Sequence, residues 1–314
     1  MKRTLLALLC TLALPASAAG LPSPGARLPA TGGVSQIEGS AGGGLTPWAL
    51  IAGYGSRDQI GFTVFHTRAD PTDFSLHASG VAVGIHDRVE LSYARQVLGL
   101  GRTVPGQAIG QDIFGVKVKV AGDAVFDQDR WMPQIAFGLQ YKRNDDMAVP
   151  TALGARHAEG VDVYVAATKV WLGAAAGRNV LLNGTLRATK ANQLGLLGFG
   201  GDRRDDYRLM PELSVGVFLT DNLVLGAEWR RKPDNLSVFR EESFKDVYLA
   251  WFAGKRLSLT AAWVDLGHIA DRKEQRAFYL SGQHGGIESG RVFRVRSHPA
   301  LVLARHRSHP ACRR

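Results

Sequence analysis

Eight charged residues, Glu90, Lys117, Lys119, Lys142, Arg187, Glu212, Glu228 and Arg230, stand in runs where every second residue is apolar. Phe114, Val116, Val118 and Val120 alternate with Gly115, Lys117 and Lys119; Leu223, Leu225, Ala227 and Trp229 alternate with Gly226, Glu228 and Arg230. A period of two puts the charges on one face of a strand and the apolar side chains on the other. Around a lumen, such charges set the ion and solute preference of a pore. The five-to-three basic excess points to small polar or anionic solutes. The alternative is structural: opposite charges pair across neighbouring strands and fill the interior, leaving function to loops or partners.

Other constellations carry less. His66, His77, Ser75 and Ser79 lie on neighbouring runs, and a lipid-modifying enzyme would need a serine held against a histidine. The expected register points His66 outward and His77 inward, so the two would not cooperate. Asp58 and Asp87 read as turn residues. His298, His306, His309 and Cys312 match no standard metal spacing, so no metal or other cofactor is expected. The glycine-rich "GLLGFGGDRRDD" (195–206) lacks the G-x-x-x-x-G-K-[ST] pattern of a phosphate cradle and reads as an outer loop. This loop and 143–160 are long enough to fold inward.

The elements that must position these residues are strands. Runs at 33–40, 45–54, 59–68, 74–85, 88–97, 111–121, 132–142, 161–171, 179–190, 209–219, 223–231, 245–253, 256–266 and 277–283 alternate, and helical periodicity is almost absent. Most approach the roughly 9–11 residues that a tilted strand needs to cross a bilayer. Connections at 55–58, 86–87, 122–131, 172–178, 220–222 and 254–255 are generally shorter than those at 69–73, 98–110, 143–160, 191–208, 232–244 and 267–276. Short turns on one side and long loops on the other are the habit of outer-membrane barrels. On that topology Trp48, Trp229 and Trp263 fall near the outer strand ends, and Trp131, Trp171 and Trp251 near the inner ends, as two interfacial girdles would require. The expected fold is an all-β transmembrane up-and-down antiparallel β-barrel of about 14 strands, with 12 as the smaller count if the first and last runs drop out.

Bulk properties agree. The chain of 314 residues opens MKRTLLALLCTLALPASAAG, a basic start, an apolar run and an A-x-A site, which reads as a cleaved secretory signal over 1–18. Its formal charge of +10 falls to +2 for 19–287 once the +6 of the Arg-rich 288–314 and the +2 of the signal are set aside, which argues against nucleic acid as a partner. Cys10 and Cys312 are the two cysteines, so residues 19–287 form no disulfide framework. The expected organisation is a periplasmic segment 19–32, a barrel over 33–287 and an appended tail 288–314. The expected location is the cell outer membrane, reached with the barrel-assembly machinery, with outer-membrane lipid as partner.

The stretches "TGGVSQIEGSAGGGLTPWALIAGYGSRDQIG" (31–61), "DQDRWMPQIAFGLQYK" (127–142), "NGTLRATKANQLGLLGFGGD" (183–202) and "EWRRKPDNLSVFREE" (228–242) resemble a proteobacterial family of uncharacterised outer-membrane β-barrel proteins, a domain of unknown function. The resemblance spans roughly 28–283 and implies location and fold, with no assigned activity. The family pattern implies an aromatic end to the last strand, whereas here "AFYLSGQ" runs on into "HGGIESGRVFRVRSHPALVLARHRSHPACRR".

Overall fold

The computed structural model describes residues 27–270 and 272–289; the His/Cys tail lies outside them. Twelve antiparallel strands close into a barrel: β1 (Gln59–Ala69), β2 (Ser75–Ile85), β3 (Val89–Gly99), β4 (Ala108–Ala121), β5 (Gln134–Asn144), β6 (Glu159–Ala175), β7 (Arg178–Thr189), β8 (Arg208–Thr220), β9 (Leu223–Arg230), β10 (Phe244–Phe252), β11 (Leu257–Asp265) and β12 (Arg276–Ser289). Each pairs with its neighbour in sequence, and β12 closes on β1 with Gln283 opposite Phe65 and Ser289 opposite Gln59. Closure leaves no unpaired sheet edge. The strand count is the smaller of the two expected.

The alternation works as the chemistry requires. Val64, Val81, Leu91, Val116, Leu139, Val163, Leu186, Leu213, Leu225, Leu249 and Leu259 are all exposed on the outside, the apolar band of a membrane barrel. Between them, Glu90, Lys117, Lys142, Arg187, Glu212, Glu228 and Arg230 are buried inside. The short turns gather at one end. His86 and Asp87 both adopt left-handed backbone there, the conformation of a two-residue hairpin turn that matches strand twist. The long connections gather at the other end.

The barrel begins later than expected and ends later. Runs 33–40 and 45–54 are not wall strands. Residues 27–54 enter at the turn end, rise inside the barrel and return to feed β1, held together by a two-residue ladder of Val34–Ser35 against Ala41–Gly42. Their alternation is real, but it distinguishes two sides of the lumen rather than lumen from lipid. The expected boundaries at 33 and 287 therefore become 59 and 289. "HGGIES" continues the last strand, because its glycines pair with β1 through Thr63 and Phe62.

Candidate functional site

The N-terminal segment fills the lumen, and its tip explains its sequence. In "SAGGG" a Cβ on Gly43 would overlap the Glu228 carboxylate, and one on Gly44 would overlap the Tyr279 hydroxyl. Only glycine lets the backbone pass that close to the wall.

Glu38, fully buried, is the centre of the site. Its carboxylate meets the Lys142 ammonium, the Arg230 guanidinium at 2.7 Å and Arg187 at 3.5 Å. The cations have further partners. Lys142 lies 2.6 Å from Asp162. Arg187 donates through Nε to Glu212 at 2.5 Å and through Nη1 to Gln140 at 2.7 Å, and its guanidinium lies 5.0 Å from the Tyr164 ring centroid. Buried charges are stable only when paired and hydrogen-bonded, and the segment supplies the acid that completes this set.

Two further grips are built the same way. Glu90 accepts the Ala41 and Ala52 amides at 3.1 and 2.8 Å, while Lys117, 3.0 Å from Glu90, donates to the Ala41 and Trp48 carbonyls at 2.9 and 3.2 Å. One ion pair thus serves both arms of the segment. Glu228 accepts from the Leu45 amide at 2.7 Å, from Thr46 Oγ1 at 2.6 Å and from Ser214 Oγ. Neutral groups complete the seating: Ser35 Oγ donates to Gln283 at 2.7 Å, Thr185 Oγ1 to the Pro47 carbonyl at 2.8 Å and Gln134 Nε2 to the Ala49 carbonyl at 2.6 Å.

A second closure lies at the loop end. Residues 191–200, part of the glycine-rich stretch, turn inward and are buried. Gln111 Nε2 and Lys142 Nζ each donate to the Leu194 carbonyl at 3.2 Å, and Asn144 Nδ2 donates to the Leu196 carbonyl at 2.7 Å. Gln193 and Leu194 take left-handed backbone to make the turn. Of the two long loops able to fold inward, this one does so.

All eight expected lumen residues point inward, but not into an open path. Seven are covered by the segment or by one another. Lys119 sits lower, half-buried at the turn end and paired with Asp87, which also lies 3.0 Å from Arg27. Three buried carboxylates were not among the eight: Glu38 on the segment, Asp162 on β6 and Asp246 on β10. Asp162 stands between Val161 and Val163, and Asp246 between Lys245 and Val247, so alternation could have found both. With them the lumen face of the wall carries five buried carboxylates, Glu90, Asp162, Glu212, Glu228 and Asp246, against four buried cations, Lys117, Lys142, Arg187 and Arg230; a fifth buried wall cation, Lys169 on β6, donates at the turn end to the Asp127 and Met132 carbonyls. The basic excess is gone.

Two orientations differ from expectation. Trp48 is no interfacial anchor: it is buried in the lumen, where its indole N–H donates to Ser214 Oγ at 2.9 Å. Trp229, Trp251 and Trp263 face outward, Trp171 is half-buried near the turn end, and Trp131 is highly exposed in the connection after β4. His77 points outward with His66, their ring centroids 5.9 Å apart, and His66 Nδ1 lies 2.8 Å from Ser79 Oγ. Polarity could not assign this face, because β2 is apolar on both sides: Val81 outside, Leu76 and Ala78 inside. The histidine and serine thus share the outer surface, without a hydrogen-bonded acid on the second nitrogen of His66 among the described residues; a triad would need one.

A closed barrel with an apolar exterior and a filled, charged interior is the architecture of an outer-membrane β-barrel. The chain belongs to the family described as "Protein of unknown function (DUF3034)", whose model matches residues 31–283. No curated protein matches the sequence. Among solved structures the chain is similar to the KdgM porin at 7% identity and TM-score 0.45, covering 71% of this chain and 98% of that one. It is also similar to the outer membrane protein Omp33 of Acinetobacter baumannii at 7% identity and TM-score 0.41, covering 73% and 99%. A third is the COG4313 outer membrane channel of Pseudomonas putida F1, at 12% identity and TM-score 0.41, covering 74% and 96%.

Proposed function

We propose that the protein is an outer-membrane channel for small solutes that its own N-terminal segment holds closed. The supporting observation is the way residues 27–54 are seated. They meet a wall of charged and hydrogen-bonding groups, which water would solvate if the segment left. A barrel built only for stability would be better served by apolar packing, since buried ion pairs seldom exceed hydrophobic contacts in net stability. An anionic preference rested on the basic excess. With that excess withdrawn, the open wall suits small polar solutes of either sign. On this reading residues 1–18 are a signal removed on export, and the assembly machinery inserts the barrel.

Planar-bilayer recording tests this on the full chain and on a variant lacking residues 27–54, each first shown to be folded. The expected result is a quiet full chain and stepwise conductance in the deletion. A folded but silent deletion would favour the second reading, an occluded barrel acting through its loops. That reading draws support from the inward turn of 191–200, which closes the other end.

A further inference from the structure

The ion pairs that hold the N-terminal segment inside the lumen come from β3 to β9. Against β11, β12, β1 and β2, and at the turn end of β6 to β8, its contacts are mostly apolar and imperfectly filled. At the turn end Leu28, Pro29 and Leu50 of the segment stand away from Val170, Leu181 and Phe218 of the wall, leaving a chamber of about 250 Å³. Its polar lining is confined to Thr31, Asn179 and Asp221. The chamber does not end blindly. Ala30, Leu181 and Phe218 also border a void of about 10 Å³, which Val34 joins to one of about 20 Å³, and Ile37 and Leu45 join that to one of about 30 Å³ beneath Leu194 and Leu196. These smaller voids hold at most a water or so by volume, and apolar side chains dominate their linings. They trace a narrow seam along the segment from the loop end to the chamber.

We propose that the chamber is a binding site for a small neutral apolar molecule, of one to two aromatic rings or a short alkyl chain. Size decides the class. An apolar cavity of about 150 Å³ stays dry and takes benzene, so 250 Å³ accommodates a bicyclic ring or a chain of similar bulk. Polarity decides the rest. Asp221 and Asn179 lie at one edge, so a carboxylate ligand is disfavoured and a single hydroxyl or amine at that edge is tolerated. The ligand sits against Leu28, Pro29 and Leu50, the part of the segment next to the turn-end mouth, and the seam continues from it along the segment. The site is complete while the barrel is closed, so it does not depend on the channel reading.

The test uses the full-length protein in lipid nanodiscs, with naphthalene as the probe, equilibrium dialysis as the measurement and empty nanodiscs as the blank for partition. Saturable binding at one site per chain is expected. Leu181→Trp, which fills the chamber, should weaken it about tenfold, equivalent to excluding roughly two buried methylenes. Leu181→Ala, which enlarges the chamber, should retain naphthalene and admit anthracene, so the proposal does not hang on the tolerance of one bulky variant. Equal uptake by folded wild-type protein and both variants would overturn the proposal, as would uptake no greater than the blank. Binding that appears only after removal of residues 19–26 would assign the chamber to the chain's own N-terminus and overturn it too. None of these outcomes involves conductance, so a silent 27–54 deletion and a failed binding assay remain separate results.

Discussion

The lumen wall has two arcs. From β3 to β9 the inward residues include Glu90, Lys117, Lys142, Asp162, Arg187, Glu212, Glu228 and Arg230. On β11, β12, β1 and β2 they include Val264, Ala277, Tyr279, Phe65, Leu76 and Ala78, with hydroxyls such as Thr260 and Thr67 and the Gln283 amide between them, and no charge. The N-terminal segment matches both, presenting Glu38 and Thr46 to the first arc and Val34, Ile37 and Leu45 to the second. The polar arc fixes position, since each ion pair and amide acceptor has one geometry. The apolar arc tolerates small gaps, because dispersion contacts are many and individually weak. One side of the segment is therefore locked by ion pairs, and the other is packed, with Gln283 adding hydrogen bonds to Ser35 and the Gly33 carbonyl.

Removing the lock should have the largest effect. Glu38→Ala leaves Lys142, Arg187 and Arg230 short of a buried counter-charge, and breaking a buried pair costs about 3–5 kcal/mol. The expected outcome is release of the segment with the barrel intact, seen as rapid hydrogen exchange across 34–52 and the appearance of conductance. An unchanged exchange profile would mean that the polar arc does not hold the segment.

On the packed side the neighbouring residue gives the contrast. Ile37→Val removes one methyl group, a change worth about 0.5–1.5 kcal/mol in a core. The segment should stay seated, with at most a modest rise in exchange and no conductance. If Ile37→Val opened the barrel as readily as Glu38→Ala, the distinction between the two sides would fail.

The smallest effect belongs to the loop end. The hydrogen bond from His157, with Lys190 adding to it, holds the Asp205 carboxyl below the usual carboxylate range. A depressed carboxylate stabilises the folded loops above its unfolded pKa, about 3.9, and that contribution is lost as pH falls through the folded value. Exchange in 199–206 should thus rise only below about pH 4. Asp205 contributes no pH dependence between 5 and 7. A rise confined to that higher window would assign the loop contact to another group.

The wall was legible because its two environments differ sharply. Lipid outside and polar groups inside give "FGVKVKV" one possible face assignment, and β4 follows it. Legibility failed where both environments were similar. β2 is apolar on both faces, so His77 was assigned to the wrong one. The N-terminal runs alternate between a charged arc and an apolar arc, which local periodicity cannot tell from lumen and lipid. Their glycines were the available signal: Gly39, Gly42 to Gly44 and Gly53 break 33–54 into runs shorter than the roughly 9–11 residues a tilted strand needs. Glu38 could not be found from spacing, since its three cations lie on β5, β7 and β9.

The central claim is that residues 27–54 occupy the lumen, and a cysteine pair tests it most directly. Thr46 Oγ1 and Ser214 Oγ lie 2.7 Å apart, one on the segment and one on β8. In a Cys312→Ser background, T46C with S214C should form a disulfide in intact outer membranes under mild oxidation, and each single variant should resist maleimide. Absence of the cross-link, with Thr46→Cys freely labelled, would place the segment outside the barrel and contradict the account.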